Sequence, residues 1–140
     1  MSALFRSYTP GDGERATLDR DGHIALPGLL TDEACDELTQ ALAQIQALPM
    51  DDEEYLPNRY AAEFNIYLES LIGHPQLLAL ARWVLGEEIL FDHFVALNRP
   101  GGIGGTHWHS HEYAEDSARL CFARVFFSVY WFDSIGSAHV

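Results

Sequence analysis

Three of the chain's seven histidines lie within five residues, at His107, His109 and His111. In an extended backbone alternate side chains share a face, so these three would project together, ~6.6 Å apart at each step. Imidazoles at this spacing can converge on one cation, and neutral imidazole suits iron, zinc, copper and nickel. We therefore predict a metal site on this histidine run (residues 107–111), which follows a glycine-rich loop. The competing interpretation, a histidine-rich surface turn, is disfavoured by the aromatic residues beside the run.

Composition restricts the class of protein and of partner. The chain has 140 residues, 48% of them hydrophobic, which is typical of one soluble globular domain. Its net charge of −13 comes with eight arginines and no lysine, which argues against nucleic acid or an anionic membrane as partner. Two distant cysteines, Cys35 and Cys121, suggest neither a disulfide framework nor a cysteine metal site, so a reducing cytoplasm fits best. Neither a signal peptide nor a membrane-spanning stretch is predicted.

The first half of the chain is predicted to be helical. Thr31 can cap a helix whose apolar residues recur every three or four positions until Pro49. Further helices are expected over 60–72 and from Pro75 to the residue before Gly86. Residues 1–20 show no sustained period, and we expect them to form a loosely ordered leader of a single domain spanning 1–140.

The second half is rich in aliphatic and aromatic residues, which favours strands. Together with one short stretch before the first helix, the candidate strands are 23–27, 89–97, 106–112 and 122–132. Helices first and strands afterwards indicate an α+β domain, in which N-terminal helices pack on a β-sandwich or barrel. The histidine run falls on the third of these strands.

Several short pieces of the chain, in order, resemble the phytanoyl-CoA dioxygenase family of non-haem iron and 2-oxoglutarate oxygenases. They are distributed over most of the stretch from residue 20 to 133: 21–30 (DGHIALPGLL), 74–78 (HPQLL), 85–86 (LG), 98–102 (NRPGG), 108–111 (WHSH) and 124–127 (RVFF). The resemblance implies a double-stranded β-helix, the jelly-roll of about eight strands. Because the sequence offers four candidate strands, the resemblance also implies that the C-terminal strands are missing and that the chain is an incomplete, truncated oxygenase domain.

The activity implied by the resemblance is hydroxylation of an unidentified small organic substrate, with Fe(II) and 2-oxoglutarate as cofactors. Such sites hold iron on two histidines and one carboxylate and leave the remaining positions open. No catalytic residue beyond the metal ligands is expected. The sequence does not name the substrate, because the family's substrates are diverse.

The resemblance also implies a ligand set, with one departure. Matching the tryptophan–histidine pair puts the first ligand at His109 and the second at His111, where the family carries a carboxylate. Two alternatives stay open. Either Glu112 or Glu115 supplies the carboxylate ligand, or His107 and His109 are the two histidine ligands and His111 supports them without binding the metal. A histidine in place of the carboxylate lowers the negative charge at the metal by one.

For the co-substrate, Arg99 and Arg124 are the arginines near enough in sequence to meet the carboxylates of 2-oxoglutarate. Phe126, two residues further on, could wall the pocket. The later arginine that the family usually uses for the distal carboxylate would fall beyond the last residue of this sequence.

Two other functions compete with the oxygenase. A cupin-type metal-binding protein would use Gly101, His107 and His109 with a nearby glutamate, and it would share the double-stranded β-helix. An inactive truncated fragment would act instead as an interaction module. In an incomplete barrel the apolar strand edge at 125–132 would be unpaired, so self-association through it is expected.

Overall fold

The computed structural model describes residues 2–49, 56–97, 121–129, 131–132 and 138–139. The elements within these ranges are the helices α1 (Asp12–Asp21), α2 (Asp32–Gln46), α3 (Leu56–Arg59), α4 (Ala61–Phe64), α5 (Ile66–Ile72) and α6 (Pro75–Leu85) and the strands β1 (Trp131–Phe132) and β2 (Ala138–His139). None of the helices in the described part is long and apolar enough to cross a membrane.

Helix α2 confirms the prediction of a helix capped by Thr31. The Thr31 Oγ1 accepts a hydrogen bond from the backbone N–H of Ala34 at 3.1 Å and donates one to the carbonyl of Ala3 at 2.8 Å. The side chain therefore satisfies a free N–H of the first turn and also ties the N-terminal segment to the helix. The apolar stripe read from the sequence faces the core: Ala34, Leu38, Ala41 and Ile45 are buried.

The helix expected over 60–72 is divided into α4 and α5. Asn65 lies between them with an extended backbone (φ −147°, ψ 121°), and its side-chain oxygen accepts from the N–H of Leu68 at 3.0 Å. Asparagine competes with the helical backbone for hydrogen bonds and favours the N-cap position, which accounts for the break. The prediction of a helix from Pro75 to the residue before Gly86 is confirmed, because α6 spans Pro75–Leu85 and Gly86 follows with a φ of 97°.

The prediction of a loose leader over residues 1–20 is wrong. Residues 12–21 form α1, and Leu4 and Phe5 are buried at 2% and 7% exposure. Gln76 holds them: its Oε1 accepts from the N–H groups of Leu4 (2.8 Å) and Phe5 (3.0 Å), and its Nε2 donates to the Phe5 carbonyl (2.9 Å). The sequence shows no period here because the buried segment is only two residues long.

The α+β expectation of helices packed on a double-stranded β-helix is also wrong, because the described residues are predominantly helical. No strand is assigned in 23–27 or in 89–97. In the latter segment the carbonyl of Phe94 accepts from the N–H of Ala61 at 2.9 Å, and the N–H of Ala96 donates to the carbonyl of Asn58 at 2.8 Å. The α3–α4 corner thus takes the hydrogen bonds that a neighbouring strand would have taken.

The strand predicted over 122–132 is confined to its last two residues. No strand is assigned in 121–129, whereas Trp131 and Phe132 of β1 pair antiparallel with His139 and Ala138 of β2. The remaining candidate strand, 106–112, lies outside the described residues.

The core is built on the helices and extends to segments 89–97 and 121–129. Its buried members are Leu4, Phe5, Ala34, Leu38, Ala41, Ile45, Ala61, Ala62, Leu68, Leu71 and Ala96. Phe94, Phe127 and Val129 are partly buried against it. Apolar composition alone does not distinguish a segment packed on helices in this way from a sheet strand.

Candidate functional site

A polar cluster lies where segments 89–97 and 121–129 meet. The Nδ1 of His93 is 2.7 Å from Oδ2 of Asp92, and its Nε2 is 3.3 Å from a terminal nitrogen of Arg124. A second terminal nitrogen of Arg124 lies 3.8 Å from the same Asp92 oxygen. Beside the cluster, the rings of Phe94 and Phe127 stack with centroids 6.4 Å apart. Polar and aromatic contacts therefore join the two segments.

The contacts of His93 define its tautomer. A guanidinium can only donate, so Nε2 must accept from Arg124, and Nδ1 must carry the proton that is donated to Asp92. The imidazole is neutral in this arrangement, with its Nε2 lone pair directed at a cation. Its side chain is 23% exposed, whereas that of Asp92 is 60% exposed. A carboxylate that orients an imidazole is a common support for a base or a metal ligand.

Arg124 has hydrogen-bonding capacity left over. Its Nε is buried and has no hydrogen-bond partner within the described ranges, while its side chain is 26% exposed. A buried N–H without a partner costs free energy unless an acceptor is supplied. Arg124 is thus a described residue that could receive an anionic oxygen, although Asp92 competes for the same guanidinium.

A groove of about 310 Å³ opens beside His93. Helices α4 and α5 with the residue before α4 form one wall, and residues 91–94 form the other; the lining residues are Tyr60, Ala62, Glu63, Glu69, Ile72, Phe91, Asp92, His93 and Phe94. The walls carry three carboxylates and three aromatic rings. The groove is acidic and is large enough for a small organic molecule.

A second histidine, His74, has a structural role. It is 5% exposed, its Nδ1 accepts from the N–H of Gln76 at 3.3 Å, and its Nε2 is 3.2 Å from the carbonyl of Ser2. Both ring nitrogens are used, one to cap α6 and the other to hold the N-terminal segment. In the small cavity beside it, burial raises the pKa of Tyr67, and Glu37 raises it further, so the phenol stays neutral.

Most of the predicted site residues lie outside the described residues. These are His107, His109, His111, Glu112, Glu115, Gly101 and Arg99. Within the described ranges, no three histidine, cysteine or acidic side chains form a group that could hold a metal ion. Arg124 is described and lies in the polar cluster. Phe126 is 80% exposed and lines neither cavity described above, so the expectation that it walls a pocket has no support here.

Reasoning from the sequence missed Asp92 and His93. Their signal was an acidic residue directly before a histidine inside an otherwise apolar stretch, Ile89 to Leu97. A polar pair in such a stretch needs partners, and these come from a segment about thirty residues later. Because the partners are this far apart in sequence, the sequence alone does not reveal that they form a cluster.

The chain matches no family model, no curated protein and no solved structure. Its function therefore has to be argued from its own residues.

Proposed function

We propose that this chain is an iron(II)- and 2-oxoglutarate-dependent dioxygenase that hydroxylates a small organic substrate and binds its metal through the histidine run. The observation that carries the proposal is the junction of the two segments that border residues 98–120. His93 contacts Arg124 and Phe94 stacks on Phe127, so both flanks of the run are anchored at one place on the helical scaffold. When the two ends of a chain segment are already held together, less conformational entropy is lost as its residues converge on a metal.

For the metal, His109 and His111 are the proposed ligands, with His107 as the third imidazole. For the co-substrate, the Nε–H of Arg124, which has no partner among the described residues, suits a carboxylate oxygen, since a guanidinium binds carboxylates through several donors at once. Arg99 is a second candidate for that role. When bound, iron and 2-oxoglutarate would supply oxidation of a C–H bond coupled to decarboxylation of 2-oxoglutarate to succinate.

Arg124 would position the co-substrate, and its neighbours limit how it does so. Asp92 lies 3.8 Å from the guanidinium and repels an incoming carboxylate. The neutral His93 does not repel it and leaves the guanidinium charge available. A carboxylate is therefore expected to approach Arg124 from the side away from Asp92. The free thiols of Cys35 and Cys121 agree with a location in the reducing cytoplasm, which is part of the proposal.

A second candidate is a metal-binding protein without turnover, of the cupin type or an interaction module. The described ranges lack the jelly-roll strands that a dioxygenase and a cupin would share, so the interaction module is the stronger form of this candidate. It is favoured also by large apolar side chains left exposed there, such as Leu90 at 94% and Phe126 at 80%.

Succinate release separates the two candidates. Protein loaded anaerobically with iron(II) is given 2-oxoglutarate and oxygen, and succinate is quantified for the wild type and for His111→Asp. We expect slow iron-dependent release from the wild type and a several-fold increase in His111→Asp, because the aspartate restores the family's carboxylate ligand.

The matched control is His23→Asp, which changes an exposed histidine far from the run in sequence and should leave the rate unchanged. Iron binding without succinate from either the wild type or His111→Asp would reject the dioxygenase and leave the second candidate.

A further inference from the structure

We propose that the contact between His93 and Arg124 is a pH-operated tether, which joins segment 121–129 to segment 89–97 at neutral pH and is released when His93 is protonated. This goes beyond the proposed function, because it concerns how the two segments are held and needs no bound metal. It rests on the 3.3 Å contact between His93 Nε2 and the Arg124 guanidinium.

The first step is the direction of that hydrogen bond. Arginine keeps its proton at all ordinary pH values, so the bond exists only while Nε2 has a free lone pair. Protonation of Nε2 turns the acceptor into a donor and sets two cations at hydrogen-bonding distance. The contact is then lost and replaced by repulsion.

The second step is that the imidazolium can stay where it is. Asp92, 2.7 Å from Nδ1, becomes its ion-pair partner. Glu63 on α4 and Glu69 on α5 line the same groove and also favour a positive charge. The other cation near the groove, Arg59, lies over the Tyr60 ring at 5.6 Å. With carboxylates around His93, Arg124 is the group that moves away.

The third step is what the release frees. Among the described residues, the contacts found for 121–129 are made by its side chains, and the Arg124 contact is one of them. Without the contact between His93 and Arg124, three contacts remain: the stacking of Phe94 on Phe127, the packing of Val129, and the 3.8 Å approach of Arg124 to Asp92, whose carboxylate is then shared with the imidazolium. The tether should therefore hold while His93 Nε2 keeps its lone pair and open once that nitrogen is protonated.

A double-mutant cycle tests the tether. Urea midpoints are measured at pH 7.5 and 5.5 for the wild type, His93→Ala, Arg124→Ala and the double variant. The cycle cancels the titrating groups that contact neither residue, while Asp92, which contacts both, is present in all four proteins. We expect favourable coupling at pH 7.5 that vanishes or changes sign at pH 5.5. A parallel cycle of His23→Ala with Arg124→Ala should show no coupling at either pH.

A second readout uses the nuclear magnetic resonance signals of the terminal N–H groups of Arg124, which make the contact with His93 and are identified by their loss in Arg124→Lys. Because guanidinium N–H groups exchange faster as the pH rises, their exchange rate is compared at each pH with that of free arginine. In the wild type they should exchange more slowly than free arginine at pH 7.5 and as fast as free arginine at pH 5.5. The protection should persist at both values in His93→Gln, which keeps an acceptor that does not titrate. Equal coupling at the two pH values, or loss of the protection at pH 5.5 in His93→Gln as well, would overturn the proposal.

Discussion

At the scale of single residues, polar side chains join parts of the chain that are far apart in sequence. Gln76 binds the backbone of residues 4 and 5, His74 binds the carbonyl of Ser2, and Thr31 binds that of Ala3. Each of these side chains is also at or near a helix N-terminus, and threonine is among the residue types that this position favours. The capping role of Thr31 could be predicted from sequence, whereas its distant partner could not.

Replacing Gln76 by alanine should destabilise the protein by about 1–3 kcal/mol, because three backbone groups of Leu4 and Phe5 lose their partners. Urea denaturation at pH 7 measures the change. Gln40→Ala is the control, since Gln40 is an exposed glutamine of α2 and its loss should be nearly neutral. Equal effects of the two substitutions would show that the hydrogen bonds of Gln76 contribute nothing to stability.

At the scale of elements, the helices with an apolar stripe could be predicted from the sequence, although the break at Asn65 between α4 and α5 could not. Both α2 and α6 also have a cap and a stop and were predicted within one or two residues. Helix α1 has no buried residue, so it leaves no apolar stripe to read. It is held by Arg15, which lies over the Trp83 ring and donates to the Trp83 carbonyl at 2.9 Å, at the C-terminus of α6.

The start of α1 should weaken in acid. Hydrogen bonds from Glu14's own backbone N–H and from that of Gly11 lower the pKa of Glu14 below its ordinary value of 4.5. A lowered folded-state pKa means that the carboxylate stabilises the protein above about pH 4.5 and that this contribution is lost as the pH falls further. The urea midpoint of Glu14→Gln should therefore lie below that of the wild type at pH 6, and the two should converge near pH 3.

The control for this prediction is Asp12→Asn, which removes a charge from the same first turn without touching the bond to Gly11. Its midpoint should differ less from the wild type at pH 6. A difference between the wild type and Glu14→Gln that is unchanged from pH 6 to pH 3 would contradict the assigned role of the carboxylate.

At the scale of the whole molecule, the sequence overestimated the β content. Segments 89–97 and 121–129 have the composition of strands, but the part of their apolar surface that is buried packs on helices. The corner between α3 and α4 also takes up part of the backbone hydrogen bonding of 89–97. A sequence pattern indicates that a segment is buried more directly than it indicates which element of the fold buries it. The same limit applies to the candidate site. The spacing of the histidine run can be recognised in the sequence, whereas Asp92 and His93 are recognised only from their contacts with each other and with Arg124.

Exposed apolar side chains on these two segments, among them Leu90, Leu97, Val125 and Phe126, favour the self-association expected from the sequence. The number of chains per particle also fixes how a metal stoichiometry is interpreted. Light scattering should give a mass above the 15.7 kDa of one chain. A mass of one chain at working concentration would reject self-association and leave the metal-site proposal intact.

The central claim is that the histidine run holds one metal ion, and anaerobic titration with cobalt(II), followed by its visible absorption, tests it most directly. We expect about one cobalt per chain at pH 7.5, binding that falls away below about pH 6 as imidazoles protonate, and loss of binding when His109→Ala and His111→Ala are combined. His23→Ala serves as the control and should bind as the wild type does. Unchanged affinity in the combined variant, or no binding by the wild type, would contradict the claim.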